Sequence, residues 1–516
     1  MSAGVEISKR LVLVNSISTA LRRVVTIAVA FWLHQHLARR ISPEEYSLYW
    51  VLIALMIFVP FLTLLFTSGL SRFVTEAYAR GDVQRVGQVV STMFPLLLAA
   101  SAALVGLGLL FAWNIDSVLT LAPEHVGDAR VMFALLVLGA ALRMAAAPFE
   151  LGFYVKQRFV LRNVIGTGAE LLRVALLLVL LHALGSRVLW VVVSFFAANL
   201  LELVLAVALS RRMVPELRFR ARDFRREIVK PITSFGGWSL VAHAATLIRE
   251  AADPLILNKL GTAVDVSSFS LGSNVDRHLR QTIFGLSRNA HPAIVALDAT
   301  GQKERQRRAY FRLGRYNLWL LLFVSLPLII FRRELFELYL RERYSTYASA
   351  ALVMALLFAK SLVLFPGTLI SMLAEAQAKV RPLAVRGLLL QVANLALTIY
   401  LVGGLGMGAP GSALATLAVN VVGTPLLFWG FGLELTGARL GPWLRATAGR
   451  AIVPALLAIP VWISVRRFTS PETWMELGAA ASAGCAVFAV AAFFCLSRDE
   501  RRELGRLSAR LRGARA

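Results

Sequence analysis

In the stretch Thr246-Leu-Ile-Arg-Glu-Ala-Ala-Asp-Pro254, three charged residues interrupt an apolar segment that is long enough to cross a bilayer. A charge near the bilayer centre costs about 2.5–3.5 kcal/mol on insertion scales, so such side chains usually face a bundle interior or an aqueous cavity. The next segment repeats this feature with four polar residues: Asp276, Arg277, His278 and Arg280. We therefore predict that both segments line a charged internal cavity between two helical bundles.

The chain is apolar along nearly its whole length. Its 516 residues are 58% hydrophobic, and apolar runs of about 20 residues, each sufficient to span a hydrocarbon core of roughly 30 Å, recur throughout. We predict an all-α polytopic membrane protein with about fourteen transmembrane helices, at residues 11–35, 46–70, 88–113, 131–152, 163–184, 188–209, 231–256, 264–287, 314–331, 347–374, 383–404, 408–431, 445–465 and 473–496.

The distribution of positive charge predicts the orientation of these helices. A formal charge of +25 would suggest nucleic acid as a partner of a soluble protein, but here the charge lies mostly in short loops. Lys and Arg are roughly three times as frequent on the side of the N-terminus as on the other side. Both termini are therefore expected in the cytoplasm, and no nucleic-acid partner is expected.

Short internal matches indicate a duplication. Gly69-Leu-Ser-Arg72 is repeated as Gly285-Leu-Ser-Arg288, and Pro148 corresponds to Pro366 at nearly the same offset. Six helices per copy predict a parallel repeat, with two six-helix lobes around a central cavity. The expected domains are an N-terminal lobe (1–210), a cytoplasmic basic linker (211–230), a C-terminal lobe (231–434), two additional transmembrane helices (435–496) and a basic cytoplasmic tail (497–516).

The linker and the tail are both rich in arginine. In the linker, Leu217, Phe219 and Phe224 are expected to rest on the membrane interface while the arginines contact anionic lipid headgroups. The tail fits either an amphipathic helix on the membrane surface or a solvated basic segment.

Cations outnumber anions within the predicted helices. The cations are Arg22, Arg23, Arg143, Arg173, Arg249, Arg277, Arg280 and Lys360, and the anions are Glu170, Glu202, Glu250, Asp253 and Asp276. Near-neutral pairing would be the cheaper arrangement if structure alone required these charges. The excess of positive charge therefore favours a cavity that receives an anion.

Some of these charges have a structural interpretation. Arg249–Asp253, Asp276–Arg280 and Glu170–Arg173 have the spacing of salt bridges within one helix. Arg277 has no acid at such a spacing, which favours a role in anion binding. Arg143 and Lys360 either reach the cavity or snorkel toward an interface.

Motifs of enzymes and metal sites are missing from the sequence. It contains no metal-ligand cluster, no phosphate-binding glycine loop and no large extramembrane region for a catalytic domain. We therefore expect a protein that is not an enzyme and has no cofactor, with coupling to H⁺ or Na⁺ through membrane acids left open.

Three motifs resemble those of a known family. They are His36-Leu-Ala-Arg-Arg-Ile-Ser-Pro-Glu-Glu-Tyr-Ser-Leu-Tyr49, Ser68-Gly-Leu-Ser-Arg72 followed by Arg80-Gly-Asp82, and Glu342-Arg-Tyr-Ser-Thr-Tyr-Ala348. They are similar to motifs of Wzx-type polysaccharide-repeat-unit flippases, which export O-antigen and exopolysaccharide units. That family belongs to the multidrug/oligosaccharidyl-lipid/polysaccharide superfamily, and the resemblance covers most of residues 10–430.

The resemblance implies a function. Two six-helix lobes would open alternately to each side and move an undecaprenyl-pyrophosphate-linked oligosaccharide from the cytoplasmic to the periplasmic leaflet of a bacterial inner membrane. Membrane lipids, a polysaccharide polymerase and a chain-length regulator are the partners it suggests. The alternatives are a lipid II flippase, a cation-coupled multidrug exporter of the same superfamily, and a membrane glycosyl polymerase, which the short outer loops disfavour.

Under this hypothesis the charged residues divide into three groups. The pyrophosphate would be bound by Arg22, Arg23, Arg277 and Arg280. The residues that shape the cavity or its gate, or carry coupling ions, would be Arg249, Glu250, Asp253 and Asp276. Two further residues would reach the cavity: Arg143 and Lys360.

Overall fold

The structure is a computed structural model that describes residues 9–56, 59, 63, 70, 73–78, 80–288, 290–291, 294, 297–298, 300–377, 379–497 and 500–502. Within these ranges, the side chains of residues 9–17, 20, 234–247, 249 and 288 lie outside the description. All regular secondary structure in the described part of the chain is helical. The predicted all-α fold class is confirmed.

The contact pattern divides the chain into two compact units, Met1–Ser267 and Ser268–Ala516. The principal helices of the first unit are α1 (Lys9–Arg40), α2 (Pro43–Leu55), α3 (Val83–Trp113), α4 (Val126–Ala146), α5 (Phe159–Leu184), α6 (Leu189–Met213) and α7 (Val229–Leu260). The short helices Ile115–Val118 and Gly152–Val155 also lie in this unit. Because α7 packs against α2, it belongs to the first unit, whereas the lobe boundaries expected from the repeat stay a prediction.

The second unit contains most of α8 (Ala263–Arg288), followed by α9 (Lys303–Ile330), α10 (Ser349–Leu364), α11 (Val380–Ile399), α12 (Gly408–Thr424), α13 (Arg450–Thr469) and α14 (Trp474–Phe494). The shorter helices are Arg332–Leu340, Ile370–Ala376, Gly430–Thr436 and Leu440–Leu444. Short π-helical turns at 400–404, 425–429 and 445–449 extend α11 and α12 and precede α13.

Ten helical segments of the described part are long and apolar enough to cross a membrane, and they comprise α3–α6 and α9–α14. The chain is therefore a multi-pass membrane protein. The polar helix α8 is not among the ten, since Asp276, Arg277 and Arg280 lie along it. Its start is fixed by a reciprocal cap, in which the Thr262 hydroxyl and the Asp265 carboxylate each bond the other residue's backbone N–H, at 3.1 and 3.0 Å.

Proline interrupts two of the helices in the same way. The α4 helix passes into a 3₁₀ turn at Ala147–Glu150 that contains Pro148, and α10 passes into a 3₁₀ turn at Phe365–Gly367 that contains Pro366. Proline has no N–H to donate within a helix, so the hydrogen-bond pattern changes at each site. The corresponding prolines noted in the sequence thus produce the same local structure.

The linker between α6 and α7 packs on the end of α3. Leu217 is fully buried, in a core cluster that includes Val86 and Val90 of α3 and Ile228. The expectation that Leu217 rests on the membrane interface is therefore wrong, because the linker folds back and uses this side chain to cover the end of α3. Phe219 and Phe224 are exposed, as that expectation requires.

Candidate functional site

A charged cluster in the first unit is centred on Glu202 of α6. Its buried carboxylate accepts hydrogen bonds from Arg162 Nη1 at 2.5 Å and Arg143 Nη2 at 3.0 Å. Arg22 Nη2 lies 3.7 Å from the same carboxylate, and Arg162 also contacts Glu150 at 3.3 Å. We call these five residues the Glu202 cluster. Three guanidinium groups face two carboxylates, so the cluster carries one net positive charge.

The small residue Gly166 lets α1 reach this cluster. A Cβ atom at Gly166 of α5 would lie 2.2 Å from Arg22 Cζ, so a larger residue would displace that guanidinium. One turn earlier, the Asn163 amide donates to the hydroxyls of Ser18 and Thr19, both at 3.0 Å. Ser18, Thr19 and Arg22 of α1 therefore face α5, and this packing places Arg22 near Glu202.

A cavity of about 330 Å³ lies beside the Glu202 cluster. Its walls are mainly apolar side chains of α2, α4 and α6, and its polar lining residues are Tyr49, Arg143, Arg173 and Asn199. Arg143 donates to Asn199 Oδ1 at 3.1 Å, while Arg173 pairs with Glu170 at 2.7 Å on its own helix. The Glu170–Arg173 salt bridge expected from sequence spacing is therefore present. The cavity combines apolar walls with two guanidinium groups.

A second cluster lies in the second unit, around Asp276 of α8. The Asp276 side chain is 1% exposed and accepts three hydrogen bonds. They come from Arg280 Nε at 2.8 Å, Lys360 Nζ at 2.9 Å and the Ser361 hydroxyl at 2.9 Å. We call these four residues the Asp276 cluster. Two buried cations share one carboxylate, so this cluster also carries one net positive charge.

The cations Arg143 and Lys360 occupy similar positions in the two clusters, but the acids that pair with them lie on helices that do not correspond. Arg143 lies near the end of α4 and Lys360 near the end of α10, each shortly before the proline-containing 3₁₀ turn of its unit. The acid that pairs with Arg143 comes from α6, whereas the acid that pairs with Lys360 comes from α8. Arg143 and Lys360 each contact a buried carboxylate, and their expected position in the cavity or toward an interface stays a prediction.

The other site residues predicted from the sequence belong to neither cluster as defined above. Arg23 is exposed, while Arg277 and Glu250 are partly buried. Asp253 is 6% exposed. The side chain of Arg249 lies outside the described residues, so its expected pairing with Asp253 does too. The roles assigned to the predicted residues in binding, gating or coupling stay predictions.

Sequence reasoning missed three members of the clusters. Arg162 immediately precedes the predicted helix at 163–184, yet it lies in the first turn of α5 and binds Glu202. Glu150 and Ser361 were not singled out. One signal for a missing partner was available: Glu202 is a membrane acid without a cation at helical spacing, and a buried carboxylate requires a partner.

A further polar cluster in the second unit is centred on Asp298, which lies outside the membrane-spanning segments, between α8 and α9. Asp298 Oδ1 accepts from Lys303 Nζ at 2.8 Å and from the Gln306 and Gln377 amides at 3.2 Å. The hydrogen bond from the Lys303 ammonium group is the main reason that the pKa of Asp298 lies below its usual range. Among the described residues, no group of three or more His, Cys, Asp or Glu side chains is arranged to hold a metal ion.

The fold is similar to that of two solved membrane proteins. The chain is similar to the lipid II flippase MurJ in an inward closed conformation, with a TM-score of 0.70 and 13% identity over 93% of this chain and 98% of that chain. It is also similar to an inward-facing multidrug resistance MATE family transporter, with a TM-score of 0.67 and 15% identity over 81% of this chain and 95% of that one. Likeness at these identities establishes the fold.

The family follows from the sequence. Residues 12–297 match the family described as polysaccharide biosynthesis protein, and the chain belongs to that family. The chain is 20% identical over 490 residues to the uncharacterized membrane protein EpsK of Bacillus subtilis (strain 168), a match that covers 93% of this chain and 94% of EpsK. The resemblance inferred from the sequence motifs is confirmed.

Proposed function

We propose that this chain moves an undecaprenyl-pyrophosphate-linked oligosaccharide repeat unit from the cytoplasmic to the periplasmic leaflet of a bacterial inner membrane. Family membership supports polysaccharide biosynthesis as the process, and the fold supports transport by alternating access. The observation that carries the proposal is the excess of positive charge around the buried acid of both the Glu202 cluster and the Asp276 cluster. Each cluster has one cation more than its acids neutralise, which suits a substrate with a pyrophosphate.

The energetics of such a substrate agree with this proposal. A pyrophosphate-sugar headgroup cannot cross hydrocarbon, but its prenyl tail can stay in lipid while the headgroup passes through the protein. Because the cell interior is negative, outward movement of an anion is favoured by about 2.3 kcal/mol per charge per 100 mV. The phosphate charges thus supply a driving force without ATP. Coupling to H⁺ or Na⁺ through Glu250, Asp253 or Asp276 is a further element of the proposal.

A lipid II flippase is the second candidate. The MurJ likeness covers 93% of this chain, compared with 81% for the MATE transporter. Lipid II also carries an undecaprenyl pyrophosphate, so the same cationic clusters would suit it. A cation-coupled drug exporter fits less well, because the net positive charge of both clusters repels cationic drugs.

The proposal is tested in a deletion strain by measuring lipid-linked repeat units trapped in the inner leaflet and polymer at the cell surface. The wild-type gene should restore polymer, whereas Arg143→Gln, Arg162→Gln and Arg277→Ala should fail at matched protein levels. Arg187→Gln is the control, because Arg187 is an exposed residue of the loop between α5 and α6 that pairs with Asp128 in the first turn of α4 and belongs to neither cluster. Export by the three variants at the wild-type level would remove these arginines from the transport path.

The same strain separates the two candidate substrates. Loss of surface polysaccharide with normal growth and cell shape supports the repeat unit as substrate. Lysis, with lipid II trapped in the inner leaflet, supports the second candidate. Interaction with a polysaccharide polymerase and a chain-length regulator is part of the first proposal, and co-purification from the wild-type strain tests it.

A further inference from the structure

The linker between α6 and α7 forms a fixed layer on the end of α3. The backbone N–H of Arg220 donates to Ser91 Oγ at 3.0 Å, and the same hydroxyl donates to the Arg218 carbonyl at 3.3 Å. The backbone N–H of Arg225 donates to Thr92 Oγ1 at 2.9 Å. Together with the buried side chain of Leu217, these bonds hold the linker in one orientation, so its outward side chains have defined positions.

The outward side of this layer is densely cationic. We call it the arginine face, and its exposed members are Arg211, Arg212, Arg218, Arg220, Arg222 and Arg226. Within the part of the chain that the structure describes, no carboxylate oxygen lies within 4.0 Å of a guanidinium nitrogen of these six residues. By contrast, Arg307 and Arg308 of α9 pair with Glu304 at 2.5 and 3.1 Å. Glu216 and Asp223 line a groove with three of these arginines without forming such a pair, so the six guanidinium groups of the arginine face keep their excess of positive charge.

Aromatic rings lie beside the arginine face. Phe219 and Phe224 are 43% and 41% exposed. The ring of Phe219 lies 5.3 Å from that of Phe94, and Phe94 lies 5.0 Å from Phe149. The Arg211 guanidinium stacks over Phe149 at 5.6 Å. Exposed rings combined with basic side chains are typical of segments that rest at the membrane–water interface.

The position of the linker matches this interpretation. It joins the last residue of the membrane helix α6, Met213, to the first turn of α7, and it packs on the first turns of α3. An open groove of about 690 Å³ at this place is lined by Arg218, Arg220 and Arg222, together with Glu216 and Asp223. The groove therefore lies at the end of a membrane-spanning helix, and it presents three guanidinium groups and two carboxylates.

We propose that the arginine face is a binding surface for the headgroups of anionic glycerophospholipids in the adjacent leaflet. The guanidinium groups bind the headgroup phosphates, and Phe219 and Phe224 contact the upper part of the acyl chains. Clusters of four to eight basic residues next to membrane helices bind anionic lipid in this manner, with a contribution equivalent to about five-fold in affinity per residue. This surface is separate from the Glu202 and Asp276 clusters, so the proposal does not depend on the transported substrate.

The test uses the full-length protein purified in detergent. Short-chain phosphatidylglycerol is titrated onto the protein, and the lipid that remains bound is counted by native mass spectrometry, with phosphatidylcholine of the same chain length as the comparison. The variant Arg218→Gln/Arg220→Gln/Arg222→Gln should lose on the order of 100-fold in affinity for phosphatidylglycerol at low salt. The matched control Arg305→Gln/Arg307→Gln/Arg308→Gln removes three charges from α9 and should retain wild-type affinity.

Two further measurements make the outcome decisive. Phe219→Ser leaves all arginines in place and should weaken phosphatidylglycerol binding while binding of a soluble polyphosphate is unchanged. The proposal is overturned if phosphatidylcholine binds as tightly as phosphatidylglycerol, or if the linker and α9 variants lose equal affinity. It is also overturned if soluble polyphosphate binds the arginine face more tightly than phosphatidylglycerol and Phe219→Ser has no effect, since the surface would then serve a soluble polyanion.

Discussion

Removal of the Asp276 carboxylate should destabilise the protein more than removal of either of its cations. Asp276→Asn keeps the shape of the side chain but leaves Arg280 and Lys360 next to each other in the protein interior without their shared carboxylate. These two side chains are 13% and 8% exposed, so water screens them little. Stranding a buried charge in this way costs about 3–5 kcal/mol.

Loss of one donor should cost less. In Lys360→Met the carboxylate still accepts hydrogen bonds from Arg280 and Ser361, so one charge pair survives and the expected loss is about 1–3 kcal/mol. Ser361→Ala removes a single neutral donor and should cost about 1 kcal/mol. The double variant Asp276→Asn/Lys360→Met should lose less than the sum of the single losses, because Asp276 and Lys360 contact each other directly and each single variant already removes that contact.

The assay is thermal unfolding of each purified variant, followed by intrinsic tryptophan fluorescence. The exposed pair Asp116–Arg130, at 3.2 Å, provides the control, since Asp116→Asn should change stability by no more than about 1 kcal/mol. The reasoning is refuted if Lys360→Met lowers the unfolding temperature as much as Asp276→Asn does. Additive losses in the double variant would also refute it, because the two residues would then not share one charge network.

Three further predictions concern single positions. Gly166→Ala should reduce export because its Cβ displaces the α1 guanidinium from the Glu202 cluster, while Gly168→Ala, whose Cβ meets open space on the same helix, should not. Gly272→Ala should destabilise the protein by about 1–3 kcal/mol in thermal unfolding, because its Cβ would lie 2.6 Å from a backbone oxygen of α10, whereas Gly285→Ala on the same helix should be neutral or stabilising. The Asp298 carboxylate has a lowered pKa, so its contribution to stability is complete above a pH of about 4 and is lost as pH falls through the folded-state pKa. The difference in unfolding temperature between wild type and Asp298→Asn should therefore shrink below about pH 4, and a constant difference from pH 3 to 7 would contradict this.

The sequence predicted the helices well because a bilayer imposes a strong periodic constraint on composition. Each of the fourteen predicted segments coincides at least in part with one of α1–α14, although α1 extends to Arg40 and α7 to Leu260, beyond the apolar runs. A hydropathy pattern cannot locate these helix ends, because the last turns contain charged residues. The matched prolines Pro148 and Pro366 indicated where the helices would be interrupted, because proline cannot donate a backbone hydrogen bond within a helix.

The charge pairs were predictable only within a helix. Spacing predicted Glu170–Arg173 and Asp276–Arg280, both of which the structure contains. The contacts of Arg143 and Arg162 with Glu202 join different helices, and which faces of two helices meet is not encoded in the spacing along either one. The burial of Leu217 was missed for the same reason, because it depends on how the linker folds back onto α3.

Transport by the purified chain itself is the most direct test of the central claim. The protein is reconstituted into liposomes with a fluorescent undecaprenyl-pyrophosphate-linked oligosaccharide, and access of the label to external dithionite is followed after a membrane potential is imposed. We expect the wild type to move the labelled lipid between leaflets, faster when the potential favours the anion's movement, while Arg143→Gln and Arg162→Gln stay at the rate of protein-free liposomes. Movement of the labelled lipid at the protein-free rate by well-folded wild-type protein under either polarity would contradict the account.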